Sequence, residues 1–248
     1  MLAIEPAADA RRLQTGSYKS LFRFCCLTLV AHAAFAAVPP DLRTALDNFH
    51  AEPPRGWSFT QTTSAEGKST VEHCDGGRPE FARWTLVQKD GRAPTADELK
   101  DYNEARSRRS RGGTAPKITD QFDLTTLETV SETPERGTYR CRLRRGESRD
   151  VTAPHLRATI GLHRPTRTIE SIELASDRGF SPTLGVSIAE MKTTLTYSLP
   201  VGDRPSFPHQ VTTHVRGRAF WFKSLDADMV VTFSDYAPVS DQRPRTKG

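Results

Sequence analysis

From Phe122 to Tyr236 the chain alternates with a period near two, and turn-forming residues interrupt it at intervals that suit an antiparallel meander. Neighbouring residues of a strand point to opposite faces, so this periodicity commits more than a hundred residues to sheet. The candidate strands are Thr138 to Arg144, Leu156 to Leu162, Thr168 to Leu174, Ile188 to Leu199, Gln210 to Phe222 and Met229 to Tyr236. In the fifth, Val211, Thr213, Val215, Gly217 and Ala219 share one face, and Thr212, His214, Arg216, Arg218, Phe220 and Phe222 share the other. Both faces are therefore mixed.

The front of the chain adds a helix and three more strands. Pro39-Pro40-Asp41 introduces Leu42, Ala45, Leu46 and Phe49, a helical stripe for which Asp41 serves as cap. Pro53, Pro54 and Gly56 stop that helix. Trp57 to Thr63, Ser69 to Cys74 and Phe81 to Gln88 then read as strands, separated by turns near Glu66-Gly67 and Asp75-Gly76-Gly77. The expected fold is mostly β (α+β), a single large curved antiparallel sheet or incomplete barrel of about nine strands, with short helices covering its concave face.

Thr95 and Glu98 have capping-box spacing, so Pro94 to about Ala105 is expected to be a polar helix inside an insertion spanning about 94–116. The tract Arg106 to Arg111 beside Gly112 and Gly113 lacks apolar periodicity and reads as a solvated loop, with anionic lipid headgroups as its candidate partner. No aromatic residue is interleaved for base stacking, so no nucleic acid is expected.

Arg11, Arg12, Lys19 and Arg23 precede an apolar run from Phe24 to Phe35, and Ala34-Phe35-Ala36 ends it with a small-x-small pattern. This reads as a signal peptide over residues 1–36 cut near Ala36, which places the remainder in the periplasm or outside the cell; the alternative is an uncleaved membrane anchor. Of 35 basic and 30 acidic residues, four and two lie in that segment, so the net charge falls from +5 to +3. The domain proper is then 37–239, followed by a polar tail, 240–248, with no core-forming content.

Export into an oxidising compartment makes a disulfide between Cys74 and Cys141 one reading and two buried free thiols the other. His73, Cys74 and Asp75 have no second cluster with ligand spacing, so no metal and no cofactor is expected.

Ser58-Phe59-Thr60-Gln61 after the short helix, followed by Arg78-Pro79 and, five residues on, Trp84, resembles the opening of the periplasmic lipoprotein carriers of the LolA-like family. The resemblance covers about residues 42–84. It implies an incomplete antiparallel barrel closed by helices, an apolar interior that accommodates acyl chains, and Arg78 as the residue that helps hold the helical lid. The chain departs from the family in its polar insertion and in its scarcity of methionine.

An acyl-chain cavity needs apolar residues and no catalytic constellation. Trp57, Phe59, Phe81, Trp84, Phe220 and Trp221 are the candidate lining, with ordinary core as the competing reading. Phe220 and Trp221 cannot both face inward. No GxSxG elbow occurs, and His50, His73, His155, His163, His209 and His214 are scattered, so an enzyme is not expected. The expected function is an exported, monomeric, non-catalytic carrier for a lipid or lipoprotein acyl ligand; the alternative is an envelope interaction protein whose core is filled by its own side chains.

Overall fold

The fold is taken from a computed structural model, which describes residues 37–53, 55–109, 117–144, 151–220 and 222–239. The expected signal segment, Trp221, Arg111 and the tail 240–248 lie outside the described residues. The elements are α1 (Pro40–Asp47), β1 (Trp57–Ala65), β2 (Lys68–Cys74), β3 (Trp84–Lys89), α2 (Ala96–Arg109), β4 (Phe122–Glu132), β5 (Arg136–Leu143), β6 (Leu156–His163), β7 (Thr168–Ser176), β8 (Phe180–Thr183), β9 (Val186–Tyr197), β10 (Pro208–Ala219), β11 (Lys223–Ser224) and β12 (Ala227–Pro238).

The strands form one open, antiparallel sheet in the order β3-β2-β1-β12-β10-β9-β7-β6-β5-β4, with β8 added on β9 and β11 on β10. Mostly β architecture with two helices is thus what the periodicity expected. β4, β8 and β11 add to the expected strands: β8 and β11 are short, which leaves little alternation to read, and β4 is an edge strand exposed over its second half, so one-sided burial marks it weakly.

The register places one face under both helices. A lateral row runs Thr63, Val231, Val211, Leu195, Ile172, Ile160 and Tyr139 across the sheet, each opposite the next. Ile172, Ile160 and Tyr139 are fully buried, and with Leu42, Ala45 and Leu46 of α1, Phe122, Leu143, Ala158, Leu162 and Ile169 they form the principal core. Burying each such aliphatic side chain is worth about 1.5–3 kcal/mol, which is why this end of the sheet anchors α1. The opposite face carries Thr60, Thr62, Thr194, Thr196, Thr212 and Thr232, β-branched residues that suit a wetted sheet surface.

Asp41 does not cap α1. Pro39 occupies the cap position with Pro40 opening the helix, and Asp41 in the first turn pairs instead with Arg164 at 3.6 Å and Arg167 at 3.2 Å from the β6–β7 turn. The capping box of α2 is present: Glu98 N donates to Thr95 Oγ1 at 3.3 Å and Thr95 N donates to Glu98 Oε2 at 2.9 Å. α2 runs on to Arg109, so Arg106 and Arg108 are helical rather than part of a solvated loop. An i, i+4 pair between Glu104 and Arg108 at 3.5 Å, with the good helix propensity of arginine, favours that extension.

The third strand also starts later than expected. Glu80–Ala82 forms a 3-10 turn, which leaves Phe81 outside β3 and 85% exposed. Cys74 and Cys141 are both buried and free, on β2 and β5, with β1, β12, β10, β9, β7 and β6 between them. Of the two readings the structure has the buried free thiols: a staple needs neighbouring strands, and these are not neighbours.

Candidate inner-face binding site

At the β1–β3 end the inner face is aromatic. Phe59 of β1, 5% exposed, meets Trp84 edge-on at 5.5 Å, Phe233 at 6.0 Å and Tyr236 at 5.5 Å. Phe207 stacks on Tyr236 at 4.2 Å and takes Trp57 edge-on at 4.8 Å. Trp57, Phe59 and Trp84 are therefore brought together as expected, but chiefly against one another. Gly76 makes this packing close: a Cβ there would collide with the Trp57 backbone.

The other candidates are elsewhere. Phe81 is exposed, and Phe220 lies in the turn after β10 at 62% exposure with a φ of 49°. Trp221 is not among the described residues. Arg78 holds no helix: its Nε bonds Asp75 Oδ2 at 3.1 Å inside the β2–β3 turn, where its side chain is 61% exposed.

The residue that ties α2 to the sheet is Arg106. Its Nη2 donates to Glu72 Oε1 at 3.0 Å, and its guanidinium lies 4.1 Å from the Trp84 ring centre. Tyr102, one turn earlier, donates to the same Glu72 oxygen at 2.7 Å, and Gln61 Nε2 donates to Oε2 at 3.0 Å. Glu72 is 9% exposed, so these donors answer a nearly buried carboxylate, as burial of a charge requires. Burial pushes the Tyr102 phenol up to about 12 and the Cys74 thiol up to about 11, the latter against the opposing fields of Arg83 and Arg106. Sequence reading overlooked this network. Two signals pointed to it: Glu72 shares the inward parity of Cys74, and Tyr102 and Arg106 stand at i, i+4 on one helix.

Between the two covered ends lie β9, β10 and β12. On their inner face Met191, Leu195, Val211, Val215, Met229 and Val231 are only half-buried, with Thr193 Oγ1 and Thr213 Oγ1 bonded to each other at 3.3 Å. Tyr197, at the end of β9, is edge-on to Phe49 at 5.0 Å, and its buried hydroxyl has no hydrogen-bond partner among the described residues. Desolvation pushes that phenol's pKa up. A strip of aliphatic surface bordered by aromatics and by an unsatisfied hydroxyl is suited to a long apolar ligand with a polar end.

Two other depressions carry charged side chains. One of about 380 Å³ is lined by Arg142, His155, Arg157, Asp177 and Arg178, and one of about 700 Å³ by Arg216, Arg218, Phe222 and Asp226. Among the described residues no group of three or more His, Cys, Asp or Glu side chains is placed to hold a metal ion. No described helix is long and apolar enough to cross a membrane.

No family model matches the chain, and no curated protein matches it. Among solved structures, one similar chain is an isomerase-inactive variant of GphF DH1, 10% identical over 82% of each chain, with a TM-score of 0.17. A score that low carries no argument about fold or chemistry.

Proposed function

We propose that the inner face between α1 and α2 binds a hydrophobic, acyl-type ligand and that the chain is a non-catalytic exported carrier. The observation that carries this reading is the lateral row itself. Its side chains pass from fully buried Ile172 beneath α1 to half-buried Val211 and Val231 in mid-sheet, so apolar surface continues where the helical cover does not. Each methylene laid on that strip gains about 0.8 kcal/mol. The order of the Ser58 to Gln61 element, Arg78-Pro79 and Trp84 supports the resemblance to LolA-like carriers, and the apolar run before Ala36 supports export.

Mass spectrometry of the purified protein tests it, together with displacement of a fluorescent fatty-acid probe. Bound acyl material and a saturable probe signal are expected, and Val211→Asp should weaken the probe by about tenfold, since a charge would then lie against the chain. Absence of both bound acyl material and probe binding refutes the reading.

A second reading, an envelope interaction protein with a self-filled core, draws on the positions of the depressions above, which lie at the sheet's rims and polar surface rather than beneath a helix. It predicts an unliganded protein in the same measurements.

A further inference from the structure

Three of the most exposed large apolar side chains are gathered at one corner of the sheet. Leu184, in the β8–β9 turn, is 97% exposed; Phe220 and Phe222, in the β10–β11 turn, are 62% and 86% exposed. The two turns lie side by side because Ala219 pairs with Val186 across β10 and β9. Phe220 N donates to Gly185 O at 2.6 Å, and a Cβ on Gly185 would approach the Phe220 ring to 3.1 Å. Gly185, at a φ of 78°, therefore gives both the turn and the close approach that an L side chain would obstruct.

Phe220 has a φ of 49°, a left-handed conformation that is uncommon for a bulky residue. The pairing of Ala219 with Lys223 and the hydrogen bond to Gly185 hold it there. Strain kept in place to present apolar side chains to water is a signature of a functional surface rather than of a core.

The charges around this corner have a consistent sign at the tip. Arg218 and Lys223 flank the turn, both exposed, and neither has an ion-pair partner among the described residues. The neighbouring acid, Asp226, is engaged within its own turn: its Oδ1 accepts from the Gly217 amide at 3.1 Å, and its own amide donates to Ser224 Oγ at 3.1 Å. Asp228 is likewise engaged, by Arg216 at 3.0 Å and His214 at 2.6 Å.

We propose that Leu184 and Phe222, with Arg218 and Lys223 beside them, form a membrane-docking surface, which lays the two apolar side chains into the interface of an anionic bilayer with the two cations at headgroup level. Hairpin turns present side chains outward with their backbone already paired, as insertion into an interface requires. An apolar apex with an aromatic ring and a cationic collar matches the layered polarity of that interface. A phosphate-bearing lipid is the partner; of the tract where the sequence placed it, Arg106 is engaged by Glu72 and Arg108 by Glu104. The inference does not depend on what the inner face holds.

Flotation of the full chain with vesicles tests it, using phosphatidylcholine alone and phosphatidylcholine doped with phosphatidylglycerol. The expected result is binding to the doped vesicles, falling about tenfold in Leu184→Ser/Phe222→Ser, because the anchoring apolar area is gone. Arg218→Glu/Lys223→Glu should abolish the preference for doped vesicles. Inorganic phosphate and glycerophosphate should not compete, which separates a lipid surface from a free phosphate site. All four side chains are exposed, so thermal melting should be unchanged; if the double variant melts early, Leu184→Ser alone, at a fully exposed turn, serves in its place. Equal flotation of wild type and the apolar variant overturns the proposal, because the run Phe24 to Phe35 would then account for binding. So does equal binding to both vesicle types, or none.

Discussion

The guanidinium of Arg106 covers the Trp84 ring at 4.1 Å, so a residue of a polar helix completes the aromatic end of the sheet. The same group bonds Glu72 at 3.0 Å, which makes it at once a lid on an apolar cluster and the counter-charge of a nearly buried carboxylate. α2 has few apolar residues of its own, so this contact, with those of Tyr102 to Glu72 and Glu98 to Lys89, docks it.

Arg106→Ala is expected to destabilise the fold by about 2 kcal/mol, from loss of the cation–π contact and of one of three donors to Glu72. Arg106→Lys should recover about half, because an ammonium keeps the charge but cannot lie flat on the Trp84 ring while it bonds the carboxylate. Urea unfolding at unchanged m-value measures both. A change within about 0.5 kcal/mol for the alanine variant would show that α2 docks by other means.

Phe59 and Phe81 looked equivalent in sequence and should behave oppositely. Phe59→Ala removes a 5% exposed ring that touches Trp84, Phe233 and Tyr236, so a cost of about 3–5 kcal/mol is expected. Phe81→Ala, at 85% exposure, should stay within about 0.5 kcal/mol. Thermal melts of the two variants side by side decide it.

Phe81 illustrates why part of the site was not legible. Period-two alternation identified six of the later strands almost to their ends, because one-sided burial writes itself directly into sequence, but not the edge strand β4, whose second half is exposed. It could not distinguish the 3-10 turn at Glu80–Ala82 from the first residues of a strand, since three residues carry no period. Thr95 and Glu98 announced the start of α2 because capping is a local interaction. The role of Arg106 was hidden because Glu72 and Trp84 stand 34 and 22 positions away along the chain, and only strand register brings them together. The disulfide reading failed on the same ground: strand order, not strand character, sets the separation of Cys74 from Cys141.

Both of those thiols should be unreactive while the protein is folded. Burial pushes Cys141 up to about 12 and Cys74 up to about 11, so neither forms a thiolate near neutral pH. Iodoacetamide should label the peptides containing them only after denaturation, without prior reduction, and a reductant should leave the melting temperature unchanged. A peptide pair linked through Cys74 and Cys141 in the non-reduced digest would refute this.

The first turn of α2 should loosen in acid. Glu98 accepts from Arg92 at 2.8 and 2.9 Å, from the Thr95 amide at 2.9 Å and pairs with Lys89 at 3.1 Å; these donors, Arg92 foremost, hold its carboxyl well below the ordinary range. A carboxylate whose folded pKa is depressed contributes stability that is complete above its unfolded value, about 4.3 for Glu, and is lost as pH falls below it. Protonation also removes the negative charge that favours a helix N-terminus. Hydrogen exchange at the amides of Asp97, Glu98 and Leu99, corrected for the intrinsic rate, should therefore show protection falling below about pH 4. Glu98→Gln keeps an acceptor for the Thr95 amide but not the charge, so it should show reduced protection at neutral pH and no further loss on acidification. A wild-type profile that is flat through this range would refute the prediction, and a glutamine variant that still titrates would assign the acid response to a different carboxylate, with Asp90 and Asp97 the next to substitute.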